Sequence, residues 1–371
     1  MTGHPVEVAG VGMHPFGRFD GATVADLGVP AVRAALAEAD IARGGFQAAY
    51  CATAYGGVAT GHRVLGALAL TGVPIVDIEA GCASGAAALA LAAGALAAGQ
   101  YDSVLVLGVE KMPRGMVRSS YFAPWQEESG LTAAPAYFAL RAQRLCREAG
   151  LTKAHLAEVV VRNRRHGAAN PVAMYQKAVT AEAVLASRPV CEPLHLWMLC
   201  SPNEGAAAVV LRRATGGVQL RAAALRSHLP GSVLAESTPL SGLIDDSGIP
   251  SASALAAADA YETAGVEPGG VDLVECQDTD AARELLAYEE LGLCRPGEQA
   301  RLLAEPTVAI NRSGGLLSKG EPLGASALGQ VVELVHQLRG EAAARQVAGA
   351  RVGLAHTVGR GANAGVVILS R

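Results

Sequence analysis

The chain has 371 residues, more than one ordinary core requires and about right for two. Hydrophobic residues make up 51 % and charged residues 17 %, a balance that excludes a disordered chain. A formal net charge of −4 and a pI near 6.2 speak against nucleic acid or an anionic membrane as the main partner.

The N-terminus lacks the charged-then-apolar pattern of a signal peptide, and residues 6–11 form a β-branched run that predicts a strand. Residues 24–39 have helical periodicity. A strand at 75–79 leads into a helix at 83–98. The apolar run of that helix is short and Ala-rich, too short for a membrane span, so the cytosol is the expected compartment. Strands follow at 103–109 and 206–211. The second half repeats the rhythm, with strands at 218–225, 271–276, 307–310, 352–356 and 365–369 and helices at 251–263, 281–291 and 323–338. Such alternation predicts sheets covered by helices. Aromatics are only 4 % while Ala and Gly abound, so helices and sheets can pack closely. The seven cysteines show neither CxxC nor Cys/His ligand spacing, which argues against disulfides and structural zinc.

The ends of the two halves look alike. Residues 102–108 match 350–356, and residues 205–211 match 363–369. A duplicated α/β unit explains both pairs, with the break near Thr215-Gly216-Gly217; chance similarity of two short apolar strands is the alternative. The expected halves are 1–215 and 216–371. One stretch breaks the rhythm. Residues 111–192 hold 12 Lys/Arg against 6 Asp/Glu, a net +6 in a chain of −4. A loop domain over 111–199, inserted above the end of the first sheet, would account for it. Its charge suits a phosphorylated ligand, or it is the solvated face of a helical excursion.

The segment Glu79-Ala80-Gly81-Cys82-Ala83-Ser84-Gly85 joins an apolar strand to the Ala-rich helix. Small residues there permit a sharp turn and close approach of a substrate. Cys82 would sit at the helix N-terminus, where the macrodipole and free N–H groups stabilise the nucleophilic thiolate. Gly-rich turns of this kind also bind phosphates, and an isolated buried Cys is usually inert packing. Three further segments lie at corresponding strand ends. They are a glycine-rich loop from Asn311 to Ala325, the turn Ala355-His356-Thr357-Val358-Gly359-Arg360-Gly361, and Glu275-Cys276-Gln277-Asp278.

Together these segments resemble the thiolase superfamily, in particular its sterol-carrier-protein-x type, over nearly the whole chain. The most specific parts are Ser313-Gly314-Gly315-Leu316 and Ser318-Lys319-Gly320-Glu321-Pro322-Leu323-Gly324-Ala325. Gly108-Val109-Glu110-Lys111-Met112, Arg162-Asn163 with Gly167 and Asn170-Pro171, and Glu284-Leu285-Leu286-Ala287-Tyr288-Glu289 add to the likeness. The resemblance implies an αβαβα fold: two similar α/β halves in five layers, with a loop domain over the site. It implies a homodimer or tetramer, acyl-CoA as substrate, and no permanently bound cofactor. Cys82 falls on the family's acylated nucleophile, and the N–H groups of Cys82 and Gly359 on its oxyanion hole. Arg164 and Arg165 are the candidates for the CoA phosphates. A small zinc-ribbon/OB-fold protein is the partner that relatives of this type suggest.

The chain also departs from the family. Glu321 stands where the loop usually carries a histidine, and Gln277-Asp278-Thr279-Asp280 replaces a His-Asp-Cys-Phe segment. A carboxylate cannot donate to an oxyanion unless it is protonated, and ionised beside Cys82 it would raise the thiol's pKa. The expected constellation is therefore Cys82 as nucleophile, His356 as base and Glu321 as the group that orients it. Gln277 would offer its amide N–H to a carbonyl oxygen. Alternatively Glu321 pairs with Lys319 or an arginine of the insertion, and Gln277 caps a strand. The function that follows is acyl transfer through a Cys82 thioester, making or breaking a C–C bond. The rivals are a retro-aldol C–C lyase, which needs no acyl-enzyme, and a non-catalytic partner subunit. Mass after exposure to an acyl-CoA separates the three.

Overall fold

The computed structural model describes residues 4–69, 72–115, 124–128, 133–229, 248–359 and 363–371. The chain begins with β1 (Val6–Gly17), α1 (Val24–Glu38), β2 (Ala49–Ala52), α2 (Thr60–Gly66), β3 (Ile75–Ile78), α3 (Ser84–Ala97) and β4 (Ser103–Lys111). The insertion contributes α4 (Pro124–Glu128), α5 (Ala134–Ala149), α6 (Lys153–Ala168), α7 (Ala181–Ala186) and the short pair β5 (Pro189–Cys191) and β6 (Leu194–His195). Then come β7 (Glu204–Arg213), β8 (Val218–Arg226), α8 (Ala252–Ala264), β9 (Leu273–Cys276), α9 (Ala281–Glu290) and α10 (Gln299–Ala304). The chain closes with β10 (Ala309–Ile310), α11 (Gly315–Lys319), α12 (Leu323–Arg339), β11 (Val352–Val358) and β12 (Ala364–Ser370).

Ten strands form one sheet in the order β10-β9-β11-β12-β8-β1-β7-β4-β2-β3. The order is symmetric about the antiparallel β8–β1 contact. On each side two strands run antiparallel next to the centre, and three parallel strands follow. Residues 103–109 on β4 and 352–356 on β11 thus hold matching places, as do β7 and β12. Helices α3 and α12 pack on each other and on strands from both sides. Helices α1 and α2 cover one outer face, and α8 and α9 the other.

The strands are buried on both faces, which explains their continuous apolar runs. On β4, Val104 and Val106 face the central helices, while Leu105, Leu107 and Val109 face α1 and α2. On β12, Val367 and Leu369 face the centre, and Val366 and Ile368 face the α8–α9 side. The insertion joins that outer side: Leu156, Val159 and Val160 of α6 share a core with Leu285 and Tyr288 of α9. Two buried ion pairs, Arg141–Asp280 and Arg162–Glu284, lock it there. Removing one partner of such a pair strands a buried charge, so these contacts specify the docking more than they stabilise it. Among the described residues no helix is long and apolar enough to cross a membrane.

Candidate active site

Cys82 lies in the turn between β3 and α3 and is 9 % exposed. Gly81 precedes it at φ +57°, the left-handed region that a Cβ disfavours. Ser84 ties the turn: its hydroxyl accepts from Ala80 N–H at 2.8 Å and donates to Gly81 O at 2.6 Å. The thiol is thereby held at the amino end of a fourteen-residue helix, where the dipole favours a thiolate.

Glu321 reaches the same place from the loop between α11 and α12. Gly320 before it has φ +84°, and a Cβ there would stand 1.9 Å from Asn203 Nδ2. Asn203 Nδ2 in turn donates to Lys319 O at 2.9 Å. Buried Glu110, from the Gly-Val-Glu-Lys-Met segment, accepts from Gly324 N–H at 3.0 Å and from Ala54 and Tyr55 N–H. It thus fastens the loop to β4. Asp278 accepts from Leu316 and Leu317 N–H and from Asn163 Nδ2, so it holds the start of α11. Burial, then Glu284, pushes its pKa well above the usual carboxylate range.

The Glu321 carboxylate accepts Gln277 Nε2–H at 3.0 Å on Oε1 and the Cys200 thiol at 3.1 Å on Oε2. Gln277 Oε1 accepts Val358 N–H, which fixes the amide so that its NH₂ faces Glu321. Part of Cys200 reaches the surface, yet its thiol is desolvated: burial pushes its pKa well above the usual cysteine value. Glu321, Cys82 and Asp278 act in the same direction, which places Cys82 in this group. Nothing in the residue pattern Cys200-Ser201-Pro202-Asn203 marked this cysteine, which the tertiary fold alone brings in.

Two expectations, and one alternative, do not match the geometry. His356 is not oriented by Glu321. It shares its side of β11 with Leu354 and Val358, which face the α8–α9 layer, whereas Ala355 faces the centre. Its Nε2 meets Ser253 Oγ at 2.9 Å and Arg283 Nη2 at 3.4 Å, and neither Cys82 nor Glu321 is among its partners. Burial, then Arg283, holds its pKa well below the usual histidine value. The N–H of Gly359 is no oxyanion donor either, because it donates to Asn363 O at 2.8 Å in closing the β11–β12 turn. Arg360 and Gly361 of that turn lie outside the described residues. Lys319 pairs with Glu275 at 3.8 Å, not with Glu321. The two arginines also part company, since neighbours on a helix point about 100° apart. Arg164 is buried, its guanidinium 3.9 Å over the Tyr175 ring, while Arg165 is exposed.

The burial of His356 has a testable signature in the pH dependence of stability. The unfolded imidazole takes a proton below about pH 6.5, which the folded one refuses. Folded stability should fall as pH drops through that value, and His356→Gln should flatten the slope. Urea titrations at about pH 5 and about pH 7.5 check this. Loss of Cys82 acylation in folded His356→Gln would return the histidine to the reaction.

Residues 6–185 match the thiolase N-terminal domain, and residues 244–371 match the thiolase C-terminal domain-like family. Sterol carrier protein 2 of Oryctolagus cuniculus is 34 % identical over 390 residues, covering 98 % of this chain and 71 % of that protein. Acetyl-CoA acetyltransferase of Methanothermobacter thermautotrophicus is 34 % identical over 391 residues, covering 99 % of each chain. The solved Ltp2-ChsH2(DUF35) aldolase superposes with a TM-score of 0.84 at 23 % identity, covering 100 % of this chain and 98 % of that one.

Proposed function

This chain belongs to the thiolase family and is an acyltransferase; we propose that it carries the acyl group as a thioester on Cys82 and passes it to an acceptor, making or breaking a C–C bond. The observation that carries this reading is the placement of Cys82 at the N-terminus of α3, beside Cys200 and the Glu321 carboxylate. In the forward half-reaction the thiolate attacks the thioester carbonyl and CoA leaves. The Cys82 N–H would meet the developing oxyanion. Gln277 orients Glu321 by donating one amide hydrogen to its carboxylate. The altered acid–base set fits a specialised biosynthetic enzyme, working in the cytoplasm as a homodimer, each chain of which has two similar halves, 1–215 and 216–371.

Acyl-CoA enters as a substrate. The phosphates are proposed to meet the basic insertion, with Arg165 as the exposed contact and Arg164 as a stacked support. CoA affinity should then weaken as salt rises, because exposed charges are screened over about 8–10 Å at physiological ionic strength. A titration showing salt-independent binding, unchanged in Arg165→Ala, would remove the insertion from the CoA site.

The acyl-enzyme itself is tested by intact mass: exposure to acetyl-CoA should add one acetyl group, mapped to Cys82. A second reading is a C–C lyase that works with a small zinc-ribbon/OB-fold protein. Its support is the likeness to an aldolase solved with a DUF35 protein. Cleavage without any acyl adduct would favour it.

A further inference from the structure

The acyl-transfer reading supplies a nucleophile and calls for a proton carrier at the substrate carbon. His356 is committed to Ser253 and Arg283 on the far side of β11. Cys200 is held against Glu321, in the group that includes Cys82. Its backbone N–H donates to Thr279 O at 2.9 Å, and the next residue, Ser201, accepts Glu321 N–H at 2.9 Å. Bridges Leu199–Asp280 and Pro202–Glu321 flank it on both sides. The thiol thus sits between the two segments 277–280 and 320–322. Tyr175 fixes the strap from outside through a 2.8 Å hydrogen bond between its hydroxyl and Ser201 Oγ.

We propose that Cys200 is a catalytic residue that exchanges a proton with the substrate's α-carbon, with Glu321 as its hydrogen-bond acceptor. The inference rests on the acyl-transfer reading. In the cleavage direction the Cys82 thiolate attacks the 3-carbonyl carbon of a 3-ketoacyl-CoA and a C–S bond forms. The C–C bond then breaks, and its electron pair goes to the α-carbon of the departing acetyl-CoA. That carbon takes the proton from Cys200 Sγ, leaving a thiolate. CoA thiol next attacks the acyl group on Cys82, the C–S bond to Cys82 breaks, and the CoA proton returns to Cys200 by way of Glu321. One ketoacyl-CoA and one CoA yield two acyl thioesters, with both cysteines restored. Synthesis is the reverse. A thiol whose proton is held tightly by burial and a neighbouring carboxylate suits a carbon acid better than an ordinary thiol does, since efficiency follows the matching of the two acidities.

The test uses the whole chain with acetyl-CoA in D₂O and reads two quantities: acetyl mass on Cys82 and deuterium at the acetyl methyl carbon. Wild-type protein should show both. Cys200→Ala should still load Cys82 while exchange falls about 10²–10⁴-fold. Cys200→Ser keeps a hydroxyl donor toward Glu321 with a far less acidic proton. It should load Cys82 and lose exchange to a similar degree, and it decides the matter if the alanine variant does not fold. Wild-type exchange in either folded variant overturns the inference, as does wild-type protein that loads Cys82 without exchanging. Loss of loading together with exchange in folded Cys200→Ser also overturns it, since the thiol would then serve Cys82. Wild-type protein that never loads Cys82 overturns the acyl-transfer reading instead.

Discussion

Cys82→Ala is expected to abolish the acyl adduct and to lower turnover by about 10⁴–10⁶-fold, the range that follows removal of a covalent nucleophile with its base. The substitution removes one sulfur atom from a turn whose shape is set by Gly81 and by Ser84's two hydrogen bonds, so the backbone should stay in place. Folding stability should change by no more than about 1 kcal/mol, within the ordinary span for a small change that breaks no cap, charge pair or large packing contact. Cys82→Ser should also fail, because a hydroxyl is far less acidic than a thiol and a much weaker nucleophile at neutral pH. Intact mass and steady-state rates on the folded variants are the measurements. Full activity in Cys82→Ala would sink the acyl-enzyme and favour the retro-aldol lyase, whose chemistry needs no thioester.

Elements with a strong period were legible in the sequence. The helix expected at 24–39 forms as α1, closed by a Thr23–Asp26 capping box, and that at 323–338 forms as α12. Strands buried on both faces showed as continuous apolar runs at 103–109, 206–211 and 365–369. Weak patterns were missed. β2 has only four residues and α2 only seven, too short for periodicity to separate them from the background of Ala and Gly. β1 runs on to Gly17, through His14 and Pro15, because β7 pairs with it that far and overrides their poor strand preference.

The site was legible where the chain is locally special and illegible where only tertiary contacts matter. Cys82 stood out because a glycine turn and a helix start surround it. Glu321 stood out because a carboxylate replaced an imidazole in a loop held by glycines. The side of β11 from which His356 projects depends on a one-residue alternation that the short run 352–356 does not reveal, since both faces are apolar. The occupied N–H of Gly359 is likewise a property of the turn it closes, invisible until β12 is paired. Cys200 had no local signal at all.

The Glu321 series should separate charge from scaffolding. In Glu321→Gln the amide of Gln277 cannot turn, because its oxygen is held by Val358 N–H. The new side chain must therefore offer its oxygen to Gln277 and its NH₂ to Cys200, whose thiol loses its acceptor. Turnover should fall by about 10²–10⁴-fold, the worth of general acid–base help, with little loss of stability. Glu321→Ala should lose the same help. It should also leave the Gln277 NH₂ buried without its acceptor, a further cost of about 1–3 kcal/mol in folding. Glu321→His restores the family's usual loop residue. A neutral imidazole would accept from Gln277 through one nitrogen and donate to Cys200 through the other, which favours the Cys200 thiolate. Cys200 should then alkylate faster, ordinary thiolytic activity should rise, and the native reaction should fall. Unfolding titrations, thiol-alkylation rates and both activities read the three variants together. Native rates in all three would make Glu321 a structural residue and leave Cys200 without its acceptor's help.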